Sequence, residues 1–332
     1  MHRSRRDIGW VMTANGRLGV LITGGTIGMQ PGDAGLAPEA GLDACLRNAL
    51  GERVGPFVEL SPLIDSANAG PEFWGRIAAA VVSLVEDEGC SGVLVLHGTD
   101  TMAYTAAGLA FLLLGLPVPV VLTGAMHPIG EVGSDGWDNV TGALDLLASG
   151  PPAGGYVYFA GKQIPAVHCS KWRTQTTDAF VRTLRPTAEL SALASPPWTY
   201  RKLVAPARVA VLPLHPGFEP AALEALVEAG IPGCVLECYG SGTGPVADPR
   251  FIAALERAHA RGMVVVAISQ CPEGAVAFGH YATDHLMKSA GVVSGGGMTR
   301  EVALAKLSVL LGAGLPASAC RDWLGVSVFG EV

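Results

Sequence analysis

Residues 92–122 read GVLVLHGTDTMAYTAAGLAFLLLGLPVPVVL, and the way this stretch has to divide sets the fold class. Positions 92–97 form a short apolar run without in/out alternation, as expected of a strand buried on both faces. Positions 101–114 suit a helix that stops before Gly115, Pro117 and Pro119, because proline cannot continue a helix interior. A second buried strand then fits 118–122. From Thr101 to Gly130 there is no Asp, Glu, Lys or Arg, and about 18 uninterrupted apolar residues would read as a membrane span. Here glycine and prolines cut the run into helix and strand, so no membrane span is expected. Strand, helix, strand is a βαβ unit, whose parallel strands are covered by helices on both faces.

The same order extends outward. A strand over 18–23 and a helix over 75–88 precede the quoted stretch; strands over 209–212, 233–237 and 263–268 alternate with helices over 220–229 and 249–261 beyond it. The fold class is therefore α/β with two α/β domains: a larger N-terminal one with a mostly parallel sheet and helices on both faces, and a smaller C-terminal one. At 332 residues the chain exceeds what a single core usually supports. Residues 190–206 carry Pro196, Pro197 and Pro206 without apolar periodicity, the pattern of an interdomain linker. The boundary falls near residue 195, giving an N-terminal arm over 1–16, a first domain over 17–190, a linker over 191–207 and a second domain over 208–332.

Composition narrows the function. Apolar residues make up 49% of the chain against 15% charged, and the net charge of −7 comes without a long Lys/Arg run; a surface that tracks nucleic-acid phosphates needs clustered positive charge. Nucleic acid is set aside as a ligand. The seven cysteines include no Cys-x-x-Cys pair and an odd one, so neither a metal site nor a disulfide framework is indicated and a cytoplasmic location fits. The start MHRSRRDIGWVMTANG is basic but lacks the apolar stretch of a secretory signal; Met12 opens the approach to the first strand, leaving residues 1–11 as a mis-annotated start or a disordered arm. No cofactor is indicated.

In open α/β sheets ligands collect beyond the carboxyl ends of the strands. The first strand runs into Thr23-Gly24-Gly25-Thr26-Ile27-Gly28, where paired glycines let the backbone turn sharply and bring amide groups and Thr26 close to a ligand. The strand over 92–97 runs into His97-Gly98-Thr99-Asp100-Thr101; Thr99 or Asp100 could equally cap the following helix. Asp65-Ser66 follows another apolar run, with the same capping alternative for Ser66 or Asn68. Lys171 by itself reads as a solvated loop lysine.

Taken together, Thr23 to Gln30, Asp65-Ser66, His97 to Thr105, Ser134-Asp135-Gly136 with Asn139, Lys171 before Asp178-Ala179-Phe180, Gln270-Cys271 and Gly279 to Thr283 resemble the bacterial-type asparaginases, especially their cytosolic type I branch. The resemblance implies a left-handed crossover in the first domain and a homotetramer built from intimate dimers, with active sites at the contact of two subunits. It makes Thr26 the nucleophile, and Thr99, Asp100 and Lys171 a second catalytic set. Asp65, Ser66 and Ala67, with Thr99 and Asp100, are the expected contacts of a small amino-acid amide substrate. A threonine hydroxyl needs an adjacent base, and a desolvated lysine can serve as one.

Three positions depart from the family pattern. Leu36 stands where a loop tyrosine is usual, Thr243 where an asparagine often follows, and Glu237 where the type I branch has an arginine that binds effector asparagine together with the residue matching Cys271. An acid cannot replace a guanidinium in holding a carboxylate, so that control is not carried over. Alternatives are a glutaminase or other small ω-amide hydrolase, an amino-acid-binding homologue handicapped by Leu36, and an amidotransferase subunit, for which the short leader before Leu18 leaves no room for the extra N-terminal module.

Overall fold

The computed structural model describes residues 16–32, 35–38, 41–51, 54–183, 185, 196–279 and 282–332. Strand β1 (Arg17–Gly24) leads to a hairpin of β2 (Met29–Gly32) and β3 (Gly35–Pro38), helix α1 (Leu42–Leu50) and the long strand β4 (Val54–Ile64). Then come α2 (Pro71–Glu86), β5 (Cys90–Leu96), α3 (Met102–Leu112), β6 (Pro119–Thr123), α4 (Gly136–Ala148), β7 (Gly154–Phe159) and β8 (Lys162–Pro165). A second hairpin pairs β9 (Cys169–Lys171) with β10 (Phe180–Arg182). Helix α2 starts earlier than the apolar period indicates, because Pro71 occupies its first turn, where a missing N–H costs nothing.

Six strands lie in the order β4-β1-β5-β6-β7-β8, parallel except for β7 with β8. The antiparallel edge arises at Ala160 and Gly161, both at positive φ (49° and 76°), the two-residue turn whose twist matches a hairpin. Side chains alternate across the sheet: Val20 and Ile22 pack towards α1 and α4, Leu21 towards α2 and α3. The order reverses at β1, with β4 on one side and β5 on the other, so the crevice beyond the carboxyl ends of β1 and β5 is the switch point of the sheet.

The second lobe comprises β11 (Ala210–Pro213), α5 (Ala221–Glu228), β12 (Gly233–Cys238), α6 (Pro249–Ala260), β13 (Val264–Ser269), α7 (Ala282–Ser289), β14 (Val293–Ser294), α8 (Arg300–Gly312) and α9 (Ala317–Leu324). Its four strands are parallel in the order β11-β12-β13-β14. Helix α8 packs on α3, and one apolar cluster runs through both lobes, from Phe111 to Val302 and Val309. Every residue of α3 except Tyr104 is buried, which explains the absence of charge there. The described part of the connection between the lobes is held in place: Trp198 Nε1 donates to Phe111 O (3.1 Å) and Ala207 N to Ser308 O (2.9 Å). Residues 186–195, where the expected boundary falls, lie outside the described residues. Among the described residues no helix is long and apolar enough to cross a membrane.

Candidate active site

The two glycine-containing turns meet in the switch-point crevice. Gly25 has φ 93°, and a Cβ there would lie 2.4 Å from both Cα and N of Gly98, so only glycine permits this approach. Thr23 Oγ1 donates to Leu96 O (2.8 Å) and joins the ends of β1 and β5. Thr26 opens a short 3-10 turn, Thr26–Gly28, is half-buried, and its hydroxyl has no hydrogen-bond partner among the described residues. Ile27 anchors that turn, its side chain buried and its carbonyl accepting from Ile129 N (3.0 Å). Strand β3 packs against the same turn. Its Leu36 pairs with Pro31, while the Leu36 side chain lies outside the described residues.

Lys171 reaches the crevice from β9. Its Nζ donates to Thr99 Oγ1 (3.0 Å) and Asp100 Oδ1 (2.6 Å), and its side chain is 17% exposed. It is a strand residue, not the solvated loop lysine of the alternative reading. Because an ammonium only donates, Thr99 Oγ1 accepts here and keeps its own proton for another partner. Asp100 is committed to Lys171, and α3 begins after Thr101 with no side-chain cap; neither Thr99 nor Asp100 caps that helix. Asp178 does not meet Lys171: it pairs with Lys162 and with Arg173, 3.1 Å away, and the Lys162 hydrogen bond holds its carboxyl below the usual range.

Ser66 is buried, and a Cβ on Gly98 would lie 2.4 Å from its Oγ. Neither Ser66 nor Asn68 caps α2, whose N-cap is Gly70 with no side-chain hydrogen bond; Asp65 Oδ1 accepts from Ala67 N (3.1 Å) and caps the short turn Ser66–Asn68. Thr101 Oγ1 donates to Ser66 O (2.8 Å), tying this segment to the Thr99 turn. Thr26, Ser66, Thr99, Asp100 and Lys171 are therefore gathered, with Asp65 and Ala67 on the exposed rim.

Three contributors stood in the quoted motifs without an assigned role. Thr101 is one, and the Asp135–Asn139 node is another: Asp135 accepts from Met126 N (3.0 Å), His127 N (3.1 Å) and Asn139 Nδ2 (3.0 Å), and Asn139 also binds Gly124 O and Ala160 N. This fixes the wall beyond β6, where Gly124 abuts His97 O. The motif was visible, its role not. The third is His97, fully buried between Gly98 O (2.7 Å) and Thr105 Oγ1 (3.0 Å); burial pushes its imidazole down to about 4.

In the other lobe Glu237, the penultimate residue of β12, forms a two-pronged pair with Arg300. Cys271 is exposed, its carbonyl gripped by Arg185 (2.7 Å), and Thr243 closes a turn on Tyr239. His280 and Tyr281 lie outside the described residues. Among the described residues no three His, Cys, Asp or Glu side chains are grouped as metal ligands.

Residues 17–195 match the family described as Asparaginase, N-terminal, and residues 208–324 the Glutaminase/Asparaginase C-terminal domain. The chain is 32% identical over 330 residues to L-asparaginase 1 of Escherichia coli (strain K12), covering 94% of this chain and 97% of that protein. It superposes on the thermostable L-asparaginase of Thermococcus kodakarensis with a TM-score of 0.80 at 31% identity, over 95% of this chain and 99% of that one. On L-asparaginase I of Vibrio cholerae the TM-score is 0.81 at 28% identity, over 96% and 99%. With both halves matched by the family and near-complete coverage on both sides, the chain belongs to the asparaginase family.

Proposed function

We propose that this protein hydrolyses L-asparagine to L-aspartate and ammonia, with Thr26 as nucleophile. The observation that carries this reading is the Thr99–Lys171–Asp100 cluster, at 3.0 Å and 2.6 Å, held beside the Thr26 turn at the switch point. Thr26 Oγ attacks the side-chain amide carbon; its proton passes to the departing nitrogen through the site's acid–base groups, the C–N bond breaks, and ammonia leaves a β-aspartyl ester on Thr26. Water held at Thr99 Oγ1, which has its own proton free to donate or exchange, then attacks the ester carbonyl and releases aspartate. Ser66, with the backbone at Asp65 and Ala67, holds the substrate α-carboxylate; Asp100 orients Lys171 and faces the α-ammonium.

The family pattern supports a cytoplasmic homotetramer of intimate dimers with sites at subunit contacts, and a domain division at 17–190, 191–207 and 208–332. Glu237 is engaged by Arg300, so no effector asparagine is assigned to it. The test is ammonia release from asparagine and glutamine side by side, for the unmodified chain, Thr26→Ala and Lys171→Met. Asparagine turnover lost in both folded variants is expected. Near-normal release by Thr26→Ala would remove Thr26 as nucleophile; near-normal release by Lys171→Met would remove the second set.

A further inference from the structure

Thr101 stands immediately before α3, where a threonine oxygen ordinarily accepts from an amide two or three residues into the helix. Helix α3 has no such cap. The hydroxyl instead donates to Ser66 O at 2.8 Å, across 35 residues of chain. Ala69 N donates to the same carbonyl at 3.0 Å, so both of its lone pairs are taken. The turn that receives this bond has little else to hold it. In the ladder between β1 and β4, Ile22 pairs with Glu59 but Gly24 with Ile64, so register is lost just before Asp65 and strand pairing stops setting position. The bonds from Ala67 N to Asp65 Oδ1, Asn68 N to Asp65 O and Ala69 N to Ser66 O shape the turn without attaching it. Among the described residues, the Thr101 hydroxyl is the one hydrogen-bond partner that Ser66–Asn68 has beyond Asp65 and Ala69. On the other side Gly98 presses on Ser66, leaving no space for a Cβ, which would lie 2.4 Å from Ser66 Oγ. Ser66 Oγ itself is buried and bonds to no described residue.

We propose that Thr101 is a positioning residue for substrate selection: by pinning the Ser66 carbonyl it sets where Ser66 Oγ stands, and so restricts tight binding to amides that also carry an α-carboxylate. This rests on the asparagine-hydrolysis reading above. The carboxylate lies away from the bond that breaks and is held alike before and during reaction, so loss of the pin raises KM and leaves kcat nearly alone. A residue that merely supports the fold would not distinguish ligands with that carboxylate from ligands without it.

The experiment compares three variants of the full chain: Thr101→Val, which keeps the shape and removes the hydroxyl; Thr101→Ser, which keeps the hydroxyl; and Thr101→Cys, whose thiol is a weaker donor. Steady-state kinetics with asparagine, thermal melts, and equilibrium binding of L-aspartate and of β-alanine, which is aspartate without its α-carboxylate, are measured for each. Thr101→Val is expected to raise KM for asparagine and the Kd of L-aspartate about tenfold, the scale of one hydrogen bond, with kcat within about threefold. β-Alanine binding should stay at the parental level, and Thr101→Ser should match the parent in every measure. A Thr101→Val enzyme with parental KM and parental aspartate affinity overturns the proposal. So does a fall in kcat at unchanged KM, a loss of β-alanine affinity equal to the loss for aspartate, or a Thr101→Ser variant as impaired as Thr101→Val. Should Thr101→Val not fold, Thr101→Cys decides: a KM raised several-fold is expected, and a parental one defeats the proposal. No ammonia from the unmodified chain would instead overturn the activity reading, and the two binding measurements then decide on Thr101 by themselves.

Discussion

At the scale of single residues, Leu36 is where chain and family disagree most. Thr26 Oγ1 has no hydrogen-bond partner among the described residues, and β3, which carries Leu36, packs on its turn. The family pattern has a phenol at this position, a group able to exchange a proton with a threonine hydroxyl. Leu36→Tyr is expected to raise kcat rather than merely lower KM, since proton transfer belongs to the transition state; tenfold corresponds to about 1.4 kcal/mol of barrier. If the unmodified chain already turns over at about 10 s⁻¹, an ordinary enzyme rate, the handicap does not exist. His97 gives a second prediction. Its imidazole sits at about 4 against an ordinary 6.5 because burial disfavours the cation. Between those values the unfolded chain binds the proton and the folded chain does not, so stability rises with pH. The contribution is complete above pH 6.5, declines as pH falls, and is gone below about pH 4, amounting to about 3 kcal/mol. Urea midpoints at pH 4.5 and 7 should therefore differ by less in folded His97→Asn than in the parent; an undiminished difference would assign the acid sensitivity elsewhere.

At the scale of elements, α3 shows local preference and packing in opposition. Gly108 lies in its interior, where alanine is favoured by about 1 kcal/mol on helix propensity alone. A Cβ at Gly108 would stand 2.6 Å from the Trp74 ring, and Trp74 is 2% exposed on α2, with no room to retreat. Overpacking of this kind costs about 1–3 kcal/mol, so packing outweighs propensity. Gly108→Ala should lower the urea midpoint, and a higher midpoint would show that α2 can shift. By contrast, the Arg250–Glu219, Arg257–Glu224 and Arg261–Glu228 pairs, which link α5 and α6 or the residues flanking them, are solvent-exposed, and such pairs contribute little individually.

At the scale of the whole molecule, the lobes are joined through α8 and the chain's last residues. Lys306 of α8 is completely buried and donates to Leu324 O (3.2 Å), Val326 O (2.6 Å) and Glu331 Oε1 (2.8 Å). Glu331 also accepts from Val328 N and Phe329 N, and the Phe329 ring meets Phe111 of α3 edge-on at 5.6 Å. Burial pulls the Lys306 amine down from its ordinary value and Glu331 opposes that. Removing one partner strands the other, at a cost of about 3–5 kcal/mol. Lys306→Met should lose stability on that scale in urea unfolding, and adding Glu331→Gln should restore part of it. If the double variant is no better than the single, the carbonyls rather than the carboxylate are what Lys306 satisfies.

The sequence by itself determined the alternation of buried strands and helices, the parallel sheets and the two glycine–threonine turns, because strand burial, helix stops and turn chemistry are written in neighbouring residues. It also showed Lys171 and Asp135 as members of a family pattern. Only the tertiary structure decided what they touch. Lys171 meets Thr99 across 72 residues of chain because β9 returns beside the crevice, and Asp178, close in sequence, turns away to Lys162. The hairpins β2–β3, β7–β8 and β9–β10 were not legible, being too short for any periodicity to register. His97 read as part of a motif, yet its hydrogen-bond partner Thr105, eight residues on, and its burial were decided by the packing of α3. The physical reason is the same in each case: local pattern specifies which face of an element is apolar, whereas side-chain partners follow from strand order. Here that order places β4 on the far side of β1 and β5 on the near side, so that Thr26 and Thr99 emerge together.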